Sequence, residues 1–259
     1  MRCRCARTIL ALGALALASA VSAQVLEPRL YRNAPTGLNA VAFGYSFSNG
    51  SLEFDPALPI EGANGNGSVV PVAYVRTFGL AGKSAKIEVV VPFGWGHYEG
   101  FLEDEFRTRD LGGIADPSFR LAVNLIGAPA LSPKAYRDFR QGTIVGARLQ
   151  VRPPLGTYDS GKLLNLGSNR WTFRPEVGLS HVWRKWFFEL AGSLWLFTDN
   201  NDFFGGQIFE QQRLSAVKGS IIRSFKPGLW AALSAGYGTG GKTIVEGIPK
   251  NTFQKNWRF

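Results

Sequence analysis

The stretch SAKIEVVVPFGWG, residues 84–96, decides between two classes of β protein. Its odd positions are all apolar, while its even positions carry Ser84, Lys86 and Glu88. This two-residue period predicts a strand with one apolar and one polar face. In a soluble β protein the apolar face packs on a core, whereas in a transmembrane barrel it faces lipid and the polar face lines the interior. The rest of the chain has to show which face is inside.

The first 23 residues have the layout of a secretory signal peptide. Three arginines precede an apolar run from residue 9 to residue 18, and small residues follow it up to Ala23. The run is too short to cross a bilayer as a helix, and the small residues are typical of a cleavage site. We therefore expect residues 1–23 to be removed and residues 24–259 to form one domain in an exported protein.

Charge and cysteine content narrow the function classes. Both cysteines, Cys3 and Cys5, lie in the signal, so we expect neither disulfides nor a thiol nucleophile in the mature chain. Without the signal the chain has 26 Lys and Arg against 19 Asp and Glu, an excess compatible with an anionic membrane surface. Export argues against nucleic acid as a partner. After the signal no apolar stretch reaches eighteen residues, which excludes a helical membrane protein.

The same alternation recurs along the whole chain and predicts nine strands. Besides 84–96, they cover 38–47, 69–78, 117–125, 143–152, 171–181, 186–197, 212–224 and 229–238, and a tenth strand is expected near 242–246. Long connections at 48–68, 97–116, 153–170 and 198–211 alternate with short turns, as external loops and periplasmic turns do in outer-membrane barrels. The 127–142 connection is an exception, with a short helix expected around Pro133 to Phe139.

Bulky aromatic residues near the strand ends separate the barrel from a soluble β-sandwich. Phe47, Trp95, Trp171 and Trp186 lie where the aromatic girdles of a membrane barrel are expected. The polar faces are rich in glycine, alanine, serine and arginine. The sequence therefore favours an all-β, antiparallel transmembrane β-barrel, and a soluble exported β-sandwich that binds a ligand stays as an alternative.

Several motifs also resemble a known family. They are EPRLYRNAPTGLN (27–39), FDPALPIEG (54–62), YVRTFGLAGKSAKIEVVVPFGWG (74–96), DPSFRLAVNLIGAPAL (116–131), PPLGTYDSGKLLNLGSNRW (153–171) and LFTDNNDFFGG (196–206). Together they are similar to the outer-membrane transporter-like family named for the meta-pathway of phenol degradation, which is related to functional-amyloid exporter barrels. The resemblance implies a barrel of about twelve strands that passes material across the outer membrane. Since the pattern shows nine or ten, we expect this chain to lack the last strands of the family's barrel.

The polar faces carry the predicted functional residues. If the barrel reading holds, the lumen-lining residues along the substrate path are Lys86, Glu88, Arg120, Asn124, Arg148, Gln150, Arg152, Arg174, Glu176 and Glu189. More basic than acidic groups favour anions such as aromatic carboxylates. The alternative is that these charges pair across neighbouring strands and close a narrow barrel.

Motifs that suggest other chemistry have simpler explanations. GYGTGGKT, residues 236–243, matches the sequence pattern of a P-loop. A P-loop is followed by a helix, which Gly247 and Pro249 oppose, so we predict a glycine-rich hairpin instead. The Asp and Asn residues of 198–206 lack the spacing of a calcium loop. We expect no metal, no cofactor and no catalytic residues.

These observations lead to one functional prediction with open alternatives. We expect a bacterial outer-membrane channel or transporter for small molecules, with aromatic or anionic compounds as the expected class. A secretion or structural barrel without a channel is the alternative within the membrane. Expected partners are outer-membrane lipid, lipopolysaccharide near the acidic residues of 99–110, and the barrel-assembly machinery, which reads aromatic ends like Trp257 and Phe259.

Overall fold

The computed structural model describes residues 27–51, 60–102, 104–226 and 228–259. The predicted signal peptide, residues 1–23, lies outside these ranges. Within them, the structure holds no helix that is both long and apolar enough to cross a membrane.

The described residues fold almost entirely into strands. In chain order the elements are β1 Asn39–Phe43, β2 Ser46–Ser51, β3 Ile60–Leu80, β4 Lys83–Leu102, β5 Glu105–Ile114, β6 Ser118–Ile126, α1 Pro133–Tyr136, β7 Thr143–Arg152, β8 Thr172–Trp183, β9 Trp186–Phe197, β10 Asn200–Phe203, a 3₁₀ turn Phe204–Gly206, β11 Gln207–Gln211, β12 Leu214–Lys226, β13 Leu229–Gly240, β14 Thr243–Val245, β15 Ile248–Pro249 and β16 Gln254–Arg258.

Twelve of these strands form one antiparallel sheet. Its order is β1-β3-β4-β6-β7-β8-β9-β12-β13-β16, with β2 also pairing with β3 and β5 with β4. The strands β10, β11, β14 and β15 form a second, four-stranded sheet. Among the described residues, β1 and β16 are the two ends of the large sheet and no strand pair joins them. The expectation that the family's last strands are missing stays a prediction.

Two facing prolines mark the points where the strands beside β3 and β4 are interrupted. Pro71 of β3 lies opposite Pro92 of β4. The Gly44 amide donates to the Pro71 carbonyl at 3.1 Å, and the Ala115 amide donates to the Pro92 carbonyl at 2.9 Å. Proline has no N–H to donate, so the ladder on each side loses a bond at this level. As a result β1 and β2 pair with successive parts of the same edge of β3, and β6 and β5 pair with successive parts of the same edge of β4.

The structure corrects several predicted connections. Most of 48–68 and 97–116 is strand, because β2 and β5 and the outer parts of β3 and β4 extend the sheet there. These strands have no continuous apolar face, which removes the alternation that sequence analysis detects. The predicted strand at 242–246 exists as β14 but belongs to the smaller sheet, and β16 takes the last place in the large one. The predicted helix in 127–142 is present as α1 and is shorter than expected.

Side-chain exposure shows which face of the large sheet is inside. Along β8, Val177 is 58% exposed whereas Glu176 is 2% exposed, and the pattern alternates through the whole strand. Strands β6, β7, β9 and β12 also turn most of their apolar side chains outward, and the large exceptions buried on the inward face are Ile144, Phe187, Trp195, Leu214 and Ile222. A β-sandwich would bury its apolar faces between two sheets. The sandwich alternative is therefore wrong, and the polar face is the interior.

The sheet curves around its own N-terminal residues. Residues 27–38 are called the inner segment below, and its first part, through Arg29, Leu30 and Tyr31, lies against the polar faces of strands from β4 to β13. Residues 28–31 form a turn, and so short a segment can touch so many consecutive strands only when the sheet bends into a barrel wall. The fold thus places the predicted lumen residues and the inner segment in one compartment.

Candidate lumen site

All of the predicted lumen residues lie on the inward face of the large sheet. Asn124, Arg148, Gln150, Arg174 and Glu176 are buried there. The others, Lys86, Glu88, Arg120, Arg152 and Glu189, are partly buried on the same face. Their role in guiding a substrate stays a prediction.

The centre of the interior is a charge cluster around Glu176, a β8 residue whose side chain is fully buried. The strand register places Glu176 opposite Arg148 of β7. One carboxylate oxygen of Glu176 lies 3.2 Å from Arg148, 2.9 Å from Arg174 and 3.2 Å from Lys218 of β12. A buried carboxylate needs such partners because removing a charge from water costs several kcal/mol.

The inner segment supplies a second carboxylate to the same cluster. Glu27 forms ion pairs with Arg148 and with Arg120, the latter at 3.3 Å. Arg120 also pairs with Glu88 of β4 at 2.7 Å, its neighbour across the sheet. Lys86 donates to the carbonyl of Leu30 at 3.0 Å. The inner segment is therefore held by charges from three adjacent strands.

The electrostatic surroundings keep Glu27 ionised. Burial acts to raise the pKa of Glu27, but the guanidinium groups of Arg148 and Arg120 outweigh it, and the pKa lies well below its usual value. Glu27 thus acts as a permanent counter-ion for the interior arginines at neutral pH.

A tyrosine of the inner segment sits on two facing glycines. Gly146 of β7 and Gly178 of β8 are paired across the sheet, and a Cβ at Gly178 would lie only 2.0 Å from the Tyr31 ring. The Tyr31 hydroxyl donates to Glu176 at 2.8 Å. The absence of side chains at these two positions makes room for the ring.

Aromatic side chains on the inward face stack on arginines. The guanidinium of Arg174 lies 4.1 Å from the centre of the Trp195 ring, and Arg29 lies between Phe187 (5.1 Å) and Trp230 (5.0 Å). Such contacts stabilise a cation by about 0.5–2 kcal/mol. Phe187 and Trp195 therefore belong to the interior although they interrupt the polar pattern of β9.

Sequence reasoning missed part of this site. It did not find Glu27, Arg29 and Tyr31, because the inner segment has no strand period, and it left the faces of residues 212–224 unassigned, which hid Lys218. The inward aromatic residues of β9 were a detectable signal, since a ring on a charged face needs an arginine or another ring as partner.

The 153–170 segment crosses one end of the interior. Asp116 accepts hydrogen bonds from the amides of Gly156 (2.9 Å) and Ser168 (2.8 Å). Asn200 donates to the Tyr158 hydroxyl at 2.9 Å. This segment forms neither helix nor strand, as the sequence predicted, but these side-chain bonds fix both of its ends.

The residues considered for other chemistry have the following places in the structure. Within it, no three His, Asp or Glu side chains are grouped to hold a metal ion. His97 contacts Asp110 at 2.7 Å in an exposed position. The P-loop-like residues 236–243 form the end of β13, two glycines with positive φ and the start of β14.

Comparisons with known proteins agree with this architecture. The model of the family described as "Putative MetA-pathway of phenol degradation" matches residues 63–257. Among solved structures, an outer membrane channel from Pseudomonas putida F1 matches with a TM-score of 0.68 and 18% identity, over 90% of this chain and 84% of that one. A search of curated protein sequences finds no match. The structural likeness shows a shared fold, that of an outer-membrane β-barrel.

Proposed function

This chain belongs to the family described as "Putative MetA-pathway of phenol degradation", and we propose that it is a bacterial outer-membrane β-barrel channel for small molecules, aromatic or anionic ones in particular. The proposal extends to delivery through the signal peptide of residues 1–23. It assigns the chain no catalytic reaction.

The observation that carries the proposal is that the apolar face of the large sheet points outward and the charged face points inward, the reverse of a soluble protein. Leu190 is 57% and Val177 58% exposed on the outer wall, whereas Arg148 and Arg174 are buried inside. Exposed apolar side chains over so many adjacent strands are unfavourable in water and favourable in lipid. A charged interior behind an apolar wall is the arrangement of a membrane channel.

The arginines of the interior support the substrate class. Arg120, Arg148, Arg152 and Arg174 lie on three consecutive strands, and rings such as Trp195 lie beside them. Rings of basic groups select anions in pores, and guanidinium and aromatic planes both accept flat aromatic molecules. The family description, which names phenol degradation, agrees with aromatic compounds.

The packed interior also favours a second candidate, a structural barrel without a conducting path. The inner segment fills the centre, and Glu27 and Glu176 are paired with several cations. If the segment never moves, small molecules have no way through. Conduction distinguishes the two candidates.

Two measurements test the proposal. We expect the full-length protein to fractionate with the outer membrane and to migrate differently on a gel before and after heating. Reconstituted in a planar bilayer, it should conduct with a preference for chloride over potassium, because arginines line the path. A soluble periplasmic protein would contradict the membrane location, and a folded protein without conductance would support the structural barrel.

A further inference from the structure

Arg152 is an interior arginine without a counter-ion. It is the last residue of β7, lies opposite Thr172 of β8 and is partly exposed on the inward face. In the described part of the chain no carboxylate forms an ion pair with it. Asp116, the acidic group that acts on it most strongly, already accepts hydrogen bonds from Gly156 and Ser168.

The polar atoms around Arg152 that lack a hydrogen-bond partner include two arginine donors and one acceptor, the buried Oε1 of Gln150. Gln150, two residues earlier on the same face, is flanked across the sheet by Arg120 and Arg174. The Nε atoms of both arginines are buried and have no hydrogen-bond partner. Arg120 and Arg174 lack a full set of acceptors, and the guanidinium of Arg152 beside them is partly exposed, so the three together favour an added anion.

Arg152 lies at the end of β7 that leads into the 153–170 segment. Arg148, which binds Glu27, is roughly 13 Å further along β7 at a strand rise of about 3.3 Å per residue. The two arginines therefore differ in role. Arg148 forms ion pairs with Glu27 and Glu176, whereas Arg152 is partly exposed and forms no ion pair within the described residues.

We propose that Arg152, with Arg120 and Arg174 beside it, forms a binding site for the carboxylate group of a small organic anion above the inner segment. This proposal rests on the proposed channel function and names its substrate class. A guanidinium fork with no acceptor matches one carboxylate, which it binds through two parallel hydrogen bonds. An aromatic carboxylate adds a ring that fits the arginine planes.

Binding to the folded, full-length protein in detergent tests the site. Benzoate is the probe, and benzyl alcohol, which has the ring without the charge, is the matched ligand. We expect calorimetry to show saturable benzoate binding that weakens with salt. We expect Arg152→Gln to weaken it about tenfold or more, and Arg152→Lys, which keeps the charge without the fork, to weaken it less. Arg76→Gln, on the outward face of β3, should leave the affinity unchanged.

The outcomes separate this site from the channel. Equal benzoate affinity in wild type and Arg152→Gln, with heat-modifiable migration retained in both, would overturn the site, and so would benzyl alcohol binding as tightly as benzoate. Tighter binding of inorganic phosphate than of benzoate would also overturn it. Benzoate binding without any conductance would keep the site and remove the channel, whereas conductance without binding would do the reverse.

Discussion

At the scale of single residues, Tyr31 has the most demanding environment in the interior. Its ring lies on the backbone of Gly146 and Gly178, and its hydroxyl reaches Glu176. The hydroxyl and the ring together hold the inner segment against β7 and β8. Loss of either contact should loosen the segment while leaving the strand pairing intact.

We predict that Gly178→Ala displaces the inner segment. The added Cβ would lie 2.0 Å from the Tyr31 ring, and such overpacking costs about 1–3 kcal/mol. A cysteine in place of Leu30 should then react faster with a water-soluble maleimide than it does in the wild-type background, and single-channel conductance should rise.

Gly192→Ala is the matched control for this prediction. Gly192 lies on the outward side of β9, and a Cβ there meets no atom within 4 Å. The control should change neither labelling nor conductance. If Gly178→Ala behaves like the control, Tyr31 does not hold the segment.

At the scale of an element, the 153–170 segment is ordered by side chains from outside it. Asp116 takes three hydrogen bonds, from the Gly156 amide, the Ser168 amide and the Ser168 hydroxyl, the last at 2.5 Å. Both ends of the segment are thus fixed to one carboxylate. Its internal turn is held by Asn165, which donates to the carbonyls of Asp159 and Lys162.

We predict that Asp116→Asn frees the segment. The amide nitrogen cannot accept a hydrogen bond, so at least one buried donor loses its partner at a cost of about 1–3 kcal/mol. The segment should then be cut by trypsin, at Lys162 first, under conditions where the wild-type protein is resistant. Asp138→Asn, in an exposed position of the 127–142 connection, serves as the control, and equal resistance of all three proteins would show that Asp116 is not required.

At the scale of the whole molecule, a channel function requires that the apolar face of the barrel wall contacts lipid and the polar face lines the interior. Residues 84–96 lie in β4, where Ile87, Phe93 and Trp95 are exposed, whereas Val90 is 6% exposed and faces inward. Val89, Val90 and Val91 have the same side chain and differ only in the face they occupy. They form a natural test of the barrel orientation.

We predict that these three valines alternate in contact with lipid. Each is replaced in turn by cysteine and labelled with bimane, and the protein is reconstituted in bilayers that contain brominated lipid. Fluorescence should be strongly quenched at positions 89 and 91 and little at position 90, because bromine quenches only over short distances. Uniform quenching, or none, would contradict a wall that separates lipid from an interior.

Much of this architecture could be predicted from the sequence because it depends on local alternation. The period of two in 143–152 and 171–181 predicted both the strands and the shared polar face of Arg148, Arg174 and Glu176. The strands β2 and β5 could not be found in this way, because neither has a continuous apolar face and their sequences therefore lack the two-residue period.

The pairing within the interior could not be predicted because its partners are far apart in the chain. Tyr31 and Glu176 are 145 residues apart, and Glu27 and Arg148 are 121 apart. No spacing rule connects such positions, so the sequence left the choice between open and closed interior undecided. It also could not separate Arg148 from Arg152, which lie on the same face of the same strand.

The sequence by itself determined most of the strands and which of their faces is polar, because a strand turns alternate side chains to opposite sides whatever surrounds it. Only the tertiary structure decided that the polar side is concave, that the inner segment fills it, and that Arg148 pairs with Glu27 while Arg152 forms no ion pair among the described residues. The physical reason is that a charge buried far from water has to find its partner in space, and spatial neighbours in a curved sheet come from distant parts of the chain.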